Sequence, residues 1–213
     1  MIAIVDYGAG NLTSVRLALE HLRMQACITS DPNAIRSAER VVFPGVGAIG
    51  SAMKNLSKLG LCETIRDVAA AGTPFLGICL GTQIILDRSE EDGSVAGLGI
   101  IPGAVRRFRP VFPADKVPQM GWNAIVPQKK HPVFDGIPDS TAFYFVHSYY
   151  PMPMCSDDVL AVTDYAGTTF GSVIGRDNVV ATQFHPERSG EAGLKLLLNF
   201  CRWDGGNKPG VAR

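Results

Sequence analysis

The sequence predicts an α/β fold: a single domain with a mostly parallel central sheet flanked by helices, plus antiparallel edge strands in its second half. Three observations carry this. Short apolar runs alternate with longer amphipathic segments up to Ile78. Glycine-bearing turns close the apolar runs at 6–10 and 44–47. From about Ala104 the texture changes, with prolines at 110, 113, 118, 127, 132 and 138 between strand-like runs.

Ile2 to Val5 suits a buried parallel strand. Asp6 to Gly10 is a turn, and Asn11 or Thr13 caps a helix whose Leu12, Val15, Leu19 and Leu22 fall at helical spacing. Ala26 to Thr29 is a second strand, and Asp31-Pro32 breaks the chain. Val41-Val42-Phe43 is a third strand, ending in the tight loop Pro44-Gly45-Val46-Gly47. One helix then runs to about Leu56 and another from Leu61 to Ala71. Phe75 to Ile78 is the next strand. Ala104 to Phe108 and Phe143 to Val146 read as antiparallel edge strands laid onto the sheet. Thr169 to Ile174 and Val179 to Gln183 form a hairpin around Arg176-Asp177-Asn178, and a last helix spans Ser189 to Trp203. The domain is expected over 1–203, with 204–213 a frayed, flexible tail.

Composition excludes several classes. Hydrophobic residues are 46% and charged residues 19%, too apolar for a disordered chain. Lys+Arg and Asp+Glu are both 20, which gives no case for nucleic acid or an anionic membrane as partner. No apolar run approaches the ~20 residues of a membrane span. Met1 to Asp6 reads as a strand, not as a signal peptide. The five cysteines are odd in number and lack Cys-x-x-Cys spacing, so neither a disulfide framework nor a metal site is expected, and the cytoplasm is the expected compartment.

Gly77-Ile78-Cys79-Leu80-Gly81 carries the chemistry. A cysteine between two glycines, where a buried strand turns into a helix, is the layout of a nucleophile elbow. Bulky residues at the flanking positions would clash, and the helix amides that follow can hold a developing oxyanion. On the pentapeptide alone, a buried cysteine between ordinary turn glycines stays open. About a hundred residues on, Phe184-His185-Pro186-Glu187 ends a strand-like run. Residues two apart in an extended chain face the same side, so His185 and Glu187 can meet one site. A thiol, an imidazole to take its proton and a carboxylate to orient the imidazole form a nucleophilic unit.

Pro74 to Gln83 together with Phe184-His185-Pro186-Glu187 resembles the class I glutamine amidotransferases, Cys-His-Glu enzymes that release ammonia from glutamine. Three further stretches resemble one subgroup, the glutaminase subunits of imidazole glycerol phosphate synthases. They are Asp6-Tyr7-Gly8-Ala9-Gly10-Asn11-Leu12, Gln119-Met120-Gly121-Trp122-Asn123 and Tyr144-Phe145-Val146-His147-Ser148-Tyr149. The likeness covers residues 2 to about 203. It implies Cys79, His185 and Glu187 as the catalytic set, without cofactor, and the amides of Leu80 and near Gly47 as oxyanion donors. Gln83, Glu91 and the backbones of Ser148 and Tyr149 would hold glutamine. Asn11, Trp122, Tyr144 and Arg188 would face a (β/α)8-barrel cyclase in a heterodimer that receives the ammonia. In many members of that subgroup the loop corresponding to Pro44–Gly47 is misoriented until the partner engages. Ser148 stands where threonine is frequent, and Arg188 where lysine is frequent. A related synthase subunit, a free cysteine hydrolase on a similar fold and a non-catalytic module are the alternatives. The hydrolase would need no partner, and the intact Cys79, His185 and Glu187 weigh against the module.

Overall fold

The computed structural model describes residues 1–8, 10–111 and 115–206. The first half alternates strand and helix: β1 (Ile2–Val5), α1 (Leu12–His21), β2 (Ala26–Thr29), α2 (Pro32–Arg36), β3 (Arg40–Gly45), α3 (Ile49–Lys58), α4 (Leu61–Ala70), β4 (Phe75–Cys79) and α5 (Leu80–Ile84). The second half is strand-rich: β5 (Arg88–Ser89), β6 (Val95–Ala96), β7 (Gly103–Arg107), β8 (Gln119–Ala124), β9 (Val126–Pro127), β10 (Ala142–His147), β11 (Tyr149–Pro153), β12 (Val159–Tyr165), β13 (Thr168–Arg176), β14 (Val179–Thr182), then α6 (Gly190–Arg202).

The main sheet has eight strands in the order β2-β1-β3-β4-β14-β13-β12-β9. Pairing is parallel from β2 to β14 and antiparallel from β14 to β9. The antiparallel edge expected from the sequence is therefore β13, β12 and β9. The two runs singled out for it lie elsewhere: β7 in a four-stranded sheet β11-β7-β5-β6, and β10 in a two-stranded sheet with β8. A strand's own residues report which faces it buries, not which strands it pairs with.

The parallel strands are buried on both faces, and their side chains divide by parity. Ile2, Ile4, Val42, Leu76, Ile78 and Val180 pack with α1 and α6 through Val15, Leu19, Leu196, Leu197 and Phe200. Ala3, Val5, Val41, Phe43, Phe75 and Ala181 pack with α3 and α4 through Ile49, Ala52, Leu56, Leu61, Ile65 and Val68. In α3, Ile49, Ala52 and Leu56 recur at helical spacing, so one stripe meets the sheet. Each large side chain fully buried in this way contributes roughly 1.5–3 kcal/mol. Arg40 anchors α6 by donating to the carbonyls of Cys201 and Trp203, both at 2.7 Å, where helix carbonyls lack partners.

Asp31-Pro32 starts a helix instead of only breaking the chain. The Asp31 carboxylate accepts from the Asn33 amide at 2.9 Å, and proline suits the first helical position. Asn11 holds the N-cap position of α1 but makes no side-chain cap bond. Among the described residues no helix is long and apolar enough to cross a membrane. Of the expected tail, Gly205 is buried against Pro74 and Gly72, and residues 207–213 lie outside the described residues.

Candidate active site

β3, β4 and β14 lie side by side and end together, so their carboxyl ends form one rim. Ligands of open α/β sheets bind outside such ends. Cys79 is the last residue of β4, and Leu80 opens α5. Cys79 has φ 54° and ψ −106°, a strained conformation for a residue with a side chain. The flanking glycines are required by space. A Cβ on Gly81 would lie 1.9 Å from the Phe43 carbonyl oxygen, and one on Gly77 2.9 Å from the Ala181 Cβ. The elbow is thus pressed against β3 on one side and β14 on the other.

β14 ends at Thr182, three residues before His185, and Pro186–Arg188 is a 3-10 turn and not a strand end. His185 itself is extended, and the turn brings the carboxylate back: His185 Nδ1 donates to Glu187 Oε1 at 2.9 Å. Both side chains are almost inaccessible, at 4% and 1% exposure. Nδ1 holds its proton on Glu187, so Nε2 is the nitrogen left for Cys79. Nε2 makes no hydrogen bond of full geometry, yet the ring couples to the sulfur. Burial opposes charge on the ring, but the interaction with Cys79 and the hydrogen bond to Glu187 overcome it and push the imidazole up to about 10. A ring that keeps its proton at neutral pH is poised to deliver it to a leaving nitrogen.

A cavity of about 300 Å³ opens at this point, lined among others by Cys79, Leu80, Gly47 and His185. Gln83, Glu91, Ser148 and Tyr149 line it too, so every residue assigned to glutamine or to the oxyanion reaches one space. Several are already engaged. Gln83 Nε2 donates to the Tyr149 carbonyl at 2.9 Å and to Gln183 Oε1 at 3.0 Å. Glu91 Oε2 accepts from the Ile49 amide at 2.9 Å and so caps α3, just beyond Gly47. Burial raises the Glu91 pKa. Gly47 has φ +91°, with open space where a Cβ would stand. A hollow of similar size, lined by Arg66, Leu98 and Arg176, contains no thiol or imidazole. Its guanidinium groups are paired with Glu63 and Asp158.

The residues assigned to a partner face are linked to this site. Trp122 is 57% exposed and packs edge-on against Tyr144, ring centroids 6.1 Å apart. Tyr144 accepts from the His185 amide at 2.9 Å through its carbonyl and donates its own amide to Ser189 Oγ at 3.0 Å. With its amide oxygen toward Arg188, Asn11 accepts from Nη2 at 2.8 Å and Nε at 3.0 Å. Exposed Met120 lies on the same outer face of the β8–β10 ribbon as Trp122.

Sequence reasoning did not single out Gln183 or His147. Gln183, the residue after β14, places its Nε2 3.7 Å from Cys79 Sγ. His147 donates from Nδ1 to the Tyr149 carbonyl at 2.8 Å, shaping the cavity wall. The available signal was a polar side chain inside an apolar run, in both cases. Burial holds His147 down at about 4, outweighing the hydrogen bond to Tyr149, and nearby His185 adds to the depression. The folded state therefore favours the neutral ring. That stabilisation is complete above pH 6.5 and is lost as pH falls toward 4, because the unfolded chain binds a proton the folded chain refuses. H147N should reduce the fall in urea-unfolding stability across that window, the remainder coming from His131, also depressed by burial, and from carboxylates such as Glu90 that are lowered by their hydrogen bonds. Equal slopes in the two proteins would contradict this.

The model of the family described as "Glutamine amidotransferase class-I" matches residues 3–202. The chain is 50% identical to imidazole glycerol phosphate synthase subunit HisH of Aromatoleum aromaticum, over 95% of this chain and 98% of that one. It is equally 50% identical to the subunit of the same name from Chloroflexus aurantiacus, covering 98% and 99%. A solved structure described as a glutamine amidotransferase superposes with a TM-score of 0.74 at 17% identity, covering 96% of this chain and all of that one. PurLQS of Thermotoga maritima gives 0.73 at 17% identity, covering 94% and 97%. The chain belongs to the class I glutamine amidotransferases.

Proposed function

We propose that this chain is the glutaminase subunit of an imidazole glycerol phosphate synthase, acting in histidine biosynthesis. The observation that carries the chemistry is the meeting of a strained thiol, a buried imidazole and a buried carboxylate at one cavity. The relatives at 50% identity over nearly their whole length support the subgroup.

Cys79 passes its thiol proton to His185 Nε2, and Sγ attacks the γ-carbonyl carbon of glutamine while the carbonyl π electrons move to oxygen. The Leu80 amide and an amide near Gly47 stabilise that oxyanion. Collapse expels the amide nitrogen, which takes a proton from His185 and leaves as ammonia. His185 then draws a proton from water, whose oxygen displaces Sγ from the γ-glutamyl thioester to give glutamate. Glu187 keeps the imidazole in the right tautomer and supports its charge. Gln83, Glu91, Ser148 and Tyr149 form the glutamine site; Glu91 offers the counter-charge for the α-ammonium. The amidotransferase unit spans 1–203, works without cofactor or metal, and resides in the cytoplasm.

Ammonia lost to water becomes ammonium and is no longer a nucleophile, so a partner must receive it directly. That partner is a (β/α)8-barrel cyclase forming a heterodimer through Asn11, Trp122, Tyr144 and Arg188. It uses the ammonia on a phosphoribulosyl-formimino ribotide to form imidazole glycerol phosphate and an aminoimidazole carboxamide ribotide. The test supplies glutamine labelled with ¹⁵N in its amide to the chain, the cyclase and that ribotide. The label should enter the imidazole ring at the expense of free ammonium. Label recovered wholly as ammonium, with no imidazole formed, would contradict the reading.

A further inference from the structure

Tyr7 lies outside every role assigned so far. It follows β1, is fully buried, and its hydroxyl has no hydrogen-bond partner among the described residues. A buried donor without an acceptor costs about 1–3 kcal/mol, so its retention calls for a reason. Its surroundings are specific. A Cβ placed on Gly45 would sit 2.3 Å from the Tyr7 oxygen, 2.9 Å from the Leu80 Cβ and 3.3 Å from the Gly81 amide nitrogen. The hydroxyl thus lies against Gly45, where the segment Gly45–Gly47 begins, beside the first residues after Cys79. Cys79 is near enough for its charge to act on the phenol, and burial with that charge holds the phenol protonated. The hydroxyl is therefore a donor.

A trans peptide carries its N–H and C=O on opposite sides. If the Gly45–Gly47 segment turns an N–H toward the cavity, the carbonyl of the same peptide turns toward the protein body. Gly45 and Gly47 give the segment the freedom to make that turn; Gly47 already sits at φ +91°. We propose that Tyr7 is a positioning residue whose hydroxyl donates to that carbonyl and so holds the second oxyanion donor in place. This rests on the glutaminase reading and adds the residue that fixes its oxyanion site. The β1–α1 loop also carries the means to transmit a partner's arrival. A Cβ on Gly10 would lie 3.7 Å from both the Gly45 Cα and the Pro44 oxygen, and Asn11 is tied to Arg188. Movement at Asn11 reaches Gly45 through one short loop.

The test is Y7F in the complex with the cyclase. The substitution removes one oxygen and keeps the ring, whose centroid lies 5.5 Å from that of Phe43. Partner-activated kcat for glutamine hydrolysis should fall about tenfold or more, short of losing the oxyanion donor outright. KM for glutamine should stay within about twofold. Alkylation of Cys79 by iodoacetamide, followed on the Cys79 peptide by mass spectrometry, should keep its rate, because thiol alkylation develops no oxyanion. An unchanged kcat, a rise in KM alone, or alkylation slowed in step with turnover would each overturn the role of Tyr7. A wild-type complex that releases no glutamate would overturn the glutaminase reading and this inference with it.

Discussion

Replacing Cys79 with alanine abolishes glutamine hydrolysis and leaves the fold intact. The thiol makes the covalent bond, and deleting the nucleophile of such a unit costs on the order of 10⁶ in rate. The fold survives because alanine at φ 54° carries the same backbone strain as cysteine, and because Gly77 and Gly81 still permit the close approach to Ala181 and Phe43. The sulfur's own contacts are weak: 4.0 Å to the Val146 carbonyl and 3.7 Å to Gln183 Nε2. With the cyclase, C79A should still form product from ammonium salts at raised pH, where free ammonia is abundant. H185A should follow C79A in severity, and E187Q should cost least, since glutamine keeps an oxygen on Nδ1 but not the charge. An electrophilic glutamine mimic provides a second check by mass spectrometry. It should label Cys79 and spare Cys27, Cys62, Cys155 and Cys201. Cys155 is the demanding control, because it is exposed while Cys79 is buried. Label on Cys155 in preference to Cys79, or C79A retaining turnover, would remove Cys79 from the mechanism.

Replacing Gly47 with proline lowers the partner-activated rate far more than the basal rate. Proline has no N–H to donate, and its ring fixes φ near −65°, whereas Gly47 sits at φ +91°. The segment can then neither supply the donor at 47 nor keep its present course. Losing one oxyanion donor costs roughly 3 kcal/mol, or ~10²-fold in kcat. In the resting chain that donor contributes little if it points away, so the basal rate has less to lose. Steady-state kinetics with and without the cyclase measure both rates. Equal proportional losses would place the donor elsewhere.

The sequence exposed the site more fully than it exposed the sheet. Gly77-Ile78-Cys79-Leu80-Gly81 is local chemistry: strand, strained residue and two glycines are adjacent, and the structure supplies the Phe43 oxygen and Ala181 Cβ that explain them. β1, β3 and β4 were legible for the same reason, each carrying an uninterrupted apolar run because both faces are covered there. The second half was legible only as strands. β7 and β10 were legible as strand-like runs between turns, but which sheet they join depends on partners elsewhere in the chain, such as β11 and β8. Likewise Asp31-Pro32 signals both a break and a helix start, and the Asn33 amide decides between them. Glu91 shows the limit at the site. Its motif position placed it at the cavity, but not its bond to Ile49, which ties the cavity wall to the helix that follows Gly47.

The central claim is that a Cys79–His185–Glu187 glutaminase is gated by its partner. The most direct measurement is the steady-state rate of glutamate formation by the isolated chain, then by the same chain saturated with the cyclase and the cyclase's ligand. The chain alone should hydrolyse glutamine only feebly, and the liganded complex should raise the rate by orders of magnitude, mostly in kcat. Even one turned amide accounts for ~10²-fold of that rise. Fast hydrolysis by the lone chain, unaltered by the cyclase, would contradict the account and mark a free hydrolase instead.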